Sequence, residues 1–228
     1  MAAEGDNEIE IKLRVESLPA IRRRLGDLGA RGGPRVHEVN ILFDSPENSF
    51  FSRGMLLRLR VERPARRGQA GNRKLPRREL IDSWMFPPKG LQPVIVTWKA
   101  PASAPPGAGQ NERDQRLAAY KVRREIEFSA TDSRAIREVL MALGLGPAFY
   151  YEKIRTTHRL PRVPHVIVTI DETPVGVFLE LEGRPAAIDR ARRALGYGAS
   201  DAILLSYGAL YREHCEARGV PVRDMLFE

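Results

Sequence analysis

Residues 8–15, EIEIKLRV, set Ile9, Ile11, Leu13 and Val15 on one side of an extended chain and Glu8, Glu10, Lys12 and Arg14 on the other. A period of two predicts a β-strand. Seven further segments read as strands: 35–44, 55–62, 94–100, 119–128, 150–160, 165–172 and 175–183. Between the first two strands, Ser17 as N-cap, Pro19 in the first turn, Ile21, Leu25 and Leu28 at helical spacing and Gly29 as a stop predict a short amphipathic helix. The cluster Thr131, Asp132, Ser133 opens a second helix that ends at Gly144. Residues 185–196 and 200–217 read as two more, the last with Ser200 as N-cap. AIRRRLGDLG (20–29) and AIREVLMALG (135–144) match in Ala, Ile, Arg, Leu, Leu and Gly at identical offsets. The chain therefore looks duplicated, and two strand–helix–strand halves most simply build one pseudo-symmetric body.

The polar faces are unusual. Arg58, Arg60 and Glu62 share one, as do Arg123, Glu125 and Glu127, then Lys153, Arg155 and Arg159, then Glu180 and Glu182. A wet face of an antiparallel sandwich would favour Lys, Thr, Ser and Gln, whereas these faces carry Arg and Glu in short same-face pairs. The opposite geometry is a closed eight-stranded barrel with charges inside and apolar faces outside, where amphipathic helices cover them. Buried charge is expensive unless paired, so such a bore has to hold water, ions and ligand.

At 228 residues with 43% hydrophobic and 29% charged positions, the chain can bury a sizeable core. No apolar run approaches a membrane span, and MAAEGDNE carries no secretory signal pattern. The single Cys215 leaves no internal disulfide and suits a cytoplasmic location. The net charge of +8 favours anionic partners. Arg63, Arg66, Arg67, Arg73, Lys74, Arg77 and Arg78 crowd a Gly/Pro-punctuated stretch, and 63–93 and 101–116 read as long loops. Inside the bore, Lys12, Arg58, Arg60, Lys99, Arg123, Lys153 and Arg155 offer donors for phosphate oxygens. Glu8, Glu10, Glu180 and Glu182 offer hard oxygens suited to Mg²⁺ or Mn²⁺. Tyr207 falls at helical spacing with Ile203, Leu210 and Tyr211, which predicts core packing, as apolar surroundings do for Trp84 and Trp98. The four histidines form no ligand spacing.

Glu8-x-Glu10-x-Lys12 resembles the opening motif of the CYTH superfamily, the triphosphate tunnel metalloenzymes, which include class IV adenylyl cyclases, thiamine triphosphatases and inorganic triphosphatases. NILFDSP, GMLLRLR, KVRREIEF, EKIR, VTIDE, FLELEG and LLSYGAL resemble its later motifs, over roughly residues 8–212. Leu42 stands where the family commonly has Tyr. The resemblance implies an α+β fold: one tunnel domain over 1–228, an eight-stranded antiparallel barrel with helices outside and a pseudo-two-fold repeat. It implies metal ligation by Glu8, Glu10, Glu180 and Glu182 with help from Asp171 and Glu127, and triphosphate contacts from the seven cations above. Lys12, Glu127 and Lys153 are the expected catalytic groups. The implied reaction is Mg²⁺- or Mn²⁺-dependent hydrolysis of tripolyphosphate or an organic triphosphate; the alternatives are a class IV cyclase converting ATP to cyclic AMP and a non-catalytic phosphate- or RNA-binding module. The expected partner is a small triphosphate, with no membrane, nucleic acid disfavoured, and the oligomeric state open, a homodimer included.

Overall fold

In the computed structural model of the protein, residues 7–65, 77–102 and 117–227 are described. Eight antiparallel strands, β1 (Asn7–Val15), β2 (Arg31–Asp44), β3 (Leu56–Pro64), β4 (Val94–Pro101), β5 (Lys121–Ala130), β6 (Gly146–Arg159), β7 (Val166–Thr173) and β8 (Gly176–Gly183), close in the order β1-β5-β4-β3-β2-β6-β7-β8. Exchanging the first four strands with the last four returns the same cyclic order. That invariance is the pseudo-two-fold expected from the repeated AIR…LG segments.

Among the described residues, six α-helices lie outside: α1 (Leu18–Asp27), α2 (Ser49–Ser52), α3 (Arg77–Met85), α4 (Ser133–Ala142), α5 (Pro185–Ala194) and α6 (Tyr207–Ala217). The Ser17 hydroxyl accepts from the Ala20 amide, and Asp132 caps α4 in the same way. Gly29 and Gly144 follow the two helix ends at φ +69° and +80°, a conformation that favours glycine. The outward apolar face of the β1–β8–β7 wall packs Ile11, Leu13, Val168, Leu179 and Leu181 against Ile21 and Leu25 of α1 and Ile188 and Ala191 of α5. Val39, Ile41, Leu59 and Val96 meet Ile81 and Met85 of α3 and Leu140 of α4. The core therefore lies between barrel and helices, not within the barrel.

Two expectations change. The stretch 63–93, read as loop, carries α3, whose short apolar face becomes helical against the barrel wall. The C-terminal helix starts at Tyr207 with Ser206 as its cap, not at Ser200. Strand β5 pairs with β1 only over Asn7–Glu10, which frees the edge of β1 at Lys12; Ile203 bonds there through its amide (2.8 Å) and carbonyl (3.0 Å) as an isolated bridge. Likewise β7 pairs with β6 only from Ile154 onward, and Met225 of the C-terminal segment bonds with Tyr150 and Glu152 along the edge left free.

Candidate functional site

Because side chains alternate across a strand, covering one face with helices turns the charged face inward. The barrel encloses a cavity of about 1180 Å³ lined by Glu8, Glu10, Lys12, Arg58, Arg60, Lys99, Lys153, Arg155, Glu180 and Glu182, among others.

One part of the wall is a cation cluster ordered by buried acids. Asp171 on β7 is fully buried and accepts from Lys153 (3.1 Å), from Arg155 twice (2.7 and 2.6 Å) and from the Tyr207 hydroxyl (2.7 Å). Glu38 on β2 faces Lys153, Arg60 and Arg155 at 3.3, 3.4 and 3.6 Å. Burial alone would raise the Glu38 pKa, but Lys153, Arg155 and Arg60 outweigh it and hold the group at about 2. The guanidinium of Arg58 donates to the Tyr151 hydroxyl (3.1 Å) and to Thr97 (2.9 Å), and Arg60 donates to Glu127 (3.1 Å). Lys12 stands between Glu10 (2.8 Å) and Glu180 (2.9 Å), and these carboxylates overcome its burial and push its pKa above the ordinary lysine value. Arg155 also pairs with Glu180, and Lys12 and Arg155 together hold that acid far below the usual carboxylate range against the effect of its burial.

Elsewhere acids crowd. Register sets Glu10 opposite Glu182 across β1 and β8. Burial and the neighbouring Glu180 raise Glu10. Glu182, although exposed at the rim, is pushed up to about 7 by desolvation and by Glu8. Lys99 bonds Glu8 (2.6 Å) and Glu125 (3.2 Å), and Lys121 bonds Glu10 (2.7 Å), yet the buried Glu8 Oε2 finds no hydrogen-bond partner. No three acids converge as a ready-made metal cluster among the described residues.

The structure thus brings Lys12, Arg58, Arg60, Lys99, Lys153 and Arg155 into one cavity with Glu8, Glu10, Glu180 and Glu182. Arg123 sits at its rim, bonded to the Gly54 carbonyl, and Glu127 is 39% exposed, held by Arg60 and Thr97. Asp171 lies within the cation cluster, joined to Glu180 through Arg155. Tyr207 packs edge-on against Phe178 as expected, but it also belongs to the site: the ammonium groups of Lys12 and Lys153 lie 5.1 and 5.3 Å from its ring centre. Sequence reasoning missed Glu38, Thr97, Lys121 and Tyr151, which bond to the cations and acids of the cavity. The period of two in HEVNILF, which puts Glu38, Asn40 and Leu42 on one face, was the signal for Glu38.

The basic stretch does other work. Arg63 stacks over Trp84 at 4.5 Å, Arg77 pairs with the fully buried Glu152, and Arg78 pairs with Asp224. These three clamp α3 and the C-terminal segment to the outside of the barrel; Arg66, Arg67, Arg73 and Lys74 lie outside the described residues.

Comparison with known proteins agrees with this geometry. The CYTH domain matches residues 6–195. No curated protein matches the sequence. A candidate adenylate cyclase from Vibrio parahaemolyticus superposes with a TM-score of 0.61 at 16% identity, covering 91% of this chain and 98% of the other. The PH1819 protein of Pyrococcus horikoshii OT3 gives a TM-score of 0.61 at 21% identity, with 91% and 99% covered. HpAC1 from Hippeastrum, a candidate adenylyl cyclase described as having a dominant triphosphatase activity, gives 0.51 at 16% identity, with 94% and 97% covered. The chain belongs to the CYTH domain family.

Proposed function

We propose that the protein hydrolyses a triphosphate, either tripolyphosphate or an organic triphosphate, bound inside the barrel with Mg²⁺ or Mn²⁺. The observation that carries this reading is the buried cluster of Arg58, Arg60, Lys153 and Arg155, held in place by Glu38 and Asp171 beside the barrel cavity. Cations fixed there before ligand arrives give up little side-chain freedom on binding, and because they are largely withdrawn from bulk solvent their attraction for phosphate is less screened. The arginines offer paired donors to phosphoryl oxygens, and Lys12 and Lys153 act as point charges. Asp171, with both oxygens already engaged by four donated bonds, acts as a positioning group for Lys153, Arg155 and Tyr207. Glu127, fixed by Arg60 and Thr97, is the carboxylate we assign to orienting the attacking water.

The crowded acids fit a divalent cation. Glu10 and Glu182 resist ionising, the Glu8 Oε2 is buried and unpaired, and all the donors are hard oxygens. Glu8, Glu10, Glu180 and Glu182 would hold the ion, with Lys99 and Lys121 turning from the acids toward phosphate. A bound cation of this kind neutralises charge that builds up on the phosphoryl oxygens during transfer. The likeness to the Hippeastrum protein indicates that such a barrel accommodates triphosphatase chemistry.

The test is to incubate the protein with tripolyphosphate, ATP and thiamine triphosphate, each with Mg²⁺ or Mn²⁺, and to identify products by phosphorus NMR. Release of orthophosphate supports the proposal. Cyclic AMP with pyrophosphate from ATP would assign a cyclase, and no turnover of any of the three would leave only a binding role.

A further inference from the structure

The outer wall of the barrel is covered unevenly, and the internal repeat shows where. At the offset that matches AIRRRLGDLG (20–29) with AIREVLMALG (135–144), Ile11, Leu13, Arg24 and Leu28 correspond to Ile126, Phe128, Val139 and Leu143. The pairing of β1 with β5 obeys the same offset, which exchanges Asn7↔Arg124 with Ile9↔Val122. In the first half these positions face α5: Ile11, Leu13 and Leu28 pack in one cluster with Ala187, Ile188, Ala191 and Leu195, and Arg24 donates to the Leu195 carbonyl (2.7 Å). Ile11 and Leu13 are accordingly 2% and 0% exposed. Their counterparts are open to solvent: Ile126, Phe128, Val139 and Leu143 are 47%, 52%, 56% and 70% exposed. An exposed apolar face of this kind marks an interaction surface.

Helix α5 follows β8, and the corresponding stretch of the second half is the one between β4 and β5. Residues 103–116 of that stretch lie outside the described residues; their sequence contains no Val, Ile, Leu, Met or aromatic residue, so that segment has no side chain to match Ile188 and Leu195 of the first half. Helix α4 can supply the match from a second molecule. It is ten residues long, like α5, sets Ile136 and Leu140 against the barrel, and leaves Val139 and Leu143, one turn apart, on its open flank. Opposite charges accompany the two apolar strips: Arg124, two residues from Ile126 on the outer face of β5, and Glu138, beside Val139 on α4, are both exposed.

We propose that this face is a self-association surface. Two copies of the chain pack it together about a two-fold axis, α4 of each lying over β5 of the other as α5 lies over β1. Val139 and Leu143 of each copy then cover Ile126 and Phe128 of the other, and Glu138 meets Arg124 across the axis. Such a contact needs one patch that is complementary to itself, which an apolar strand face beside an apolar helix flank, with opposite charges at their margin, provides. On β5, Ile126 and Phe128 alternate with Glu125 and Glu127, which line the cavity, so the face points away from it, and none of the six contact residues lines the cavity. The inference is therefore independent of the triphosphate reading.

The test is sedimentation velocity of the full chain over a range of protein concentrations, for the wild type and for Phe128→Glu and Leu143→Glu, with circular dichroism to show that each variant is folded. Both side chains are exposed in the single chain, so neither replacement removes a core contact. The wild type is expected to sediment as a dimer that dissociates on dilution, and each variant to raise the dissociation constant at least about tenfold, the scale of losing one central apolar anchor. A wild type that stays monomeric at every concentration would overturn the proposal and leave the face to a different protein. So would a dimer that either variant leaves unaltered, since the contact would then lie elsewhere on the molecule. Should either variant fail to fold, Phe128→Thr, which keeps strand propensity, or Leu143→Lys is judged by the same criterion.

Discussion

Replacing Glu38 by Gln sets stability against ligand binding at a single atom pair. Glu38 is 2% exposed and lies 3.3 Å from Lys153, 3.4 Å from Arg60 and 3.6 Å from Arg155. Its burial favours the neutral acid, but the cations win and lower its pKa from 4.5 to about 2. At about 1.36 kcal/mol per pH unit, that gap corresponds to about 3 kcal/mol of folding stability, close to the roughly 3–5 kcal/mol lost when one partner of a buried ion pair is removed. Because the folded pKa is depressed, the contribution is complete above about pH 4.5 and is lost as pH falls toward about 2. For a chain of this size each kcal/mol moves the melting temperature by about 2–4 °C, so Glu38→Gln should lower it by roughly 6–12 °C at neutral pH. The same change takes a negative charge from the phosphate-facing wall, and tripolyphosphate should bind the variant more tightly than the wild type. Calorimetric melting in phosphate-free buffer over a range of pH, with a tripolyphosphate titration at neutral pH, reads both effects. An unaltered melting temperature at neutral pH, or a difference between the proteins that stays constant down to about pH 3, would refute the electrostatic account of this wall.

Other outcomes follow from the same geometry. Arg60→Ala should weaken tripolyphosphate binding by about 1.5–3 kcal/mol, and titrations at low and at physiological salt should show the same deficit, because a buried contact escapes the screening that erases exposed ones. The raised pKa of Glu182 means that its stabilising contribution is present below about pH 4.5 and is lost as pH rises through about 7; the melting temperature gained on adding Mn²⁺ should therefore be larger at about pH 8 than at about pH 6, and Glu182→Gln should flatten that dependence. Met225→Asp puts a charge at a fully buried position beside β6 and should lower the melting temperature by several degrees in thermal melts, with the loss arising outside the cavity.

The alternating strands were the legible part of this sequence. Charges at every second position of β1, β3, β5, β6 and β8 mark the inward face, and the residues Ser17, Asp132, Gly29 and Gly144 bracket α1 and α4 where local chemistry alone decides. Helix α6 was misread at its start because an edge of β1, remote in sequence, holds Ile203 extended. Helix α3 was missed because its apolar face is brief and is completed only by the barrel wall it covers. Within the site, the seven cations were legible as types, but their division of labour was not. Asp171 and Glu127 differ in surroundings because register and tertiary packing encircle one with donors and leave the other partly exposed. Glu38 escaped notice because the positions that share its face, Asn40 and Leu42, are uncharged, so that face of β2 shows no run of charge.

The central claim is that the inside of the barrel, and not its basic outer surface, is where a triphosphate binds. A crystal structure of the protein with tripolyphosphate and Mn²⁺, with anomalous scattering used to locate the metal, tests it most directly. The account predicts one tripolyphosphate within the cavity, its oxygens against Arg58, Arg60, Lys153 and Arg155, and an anomalous peak among Glu8, Glu10, Glu180 and Glu182. Anion density confined to the outer surface, with only water between those arginines and lysines, would contradict it.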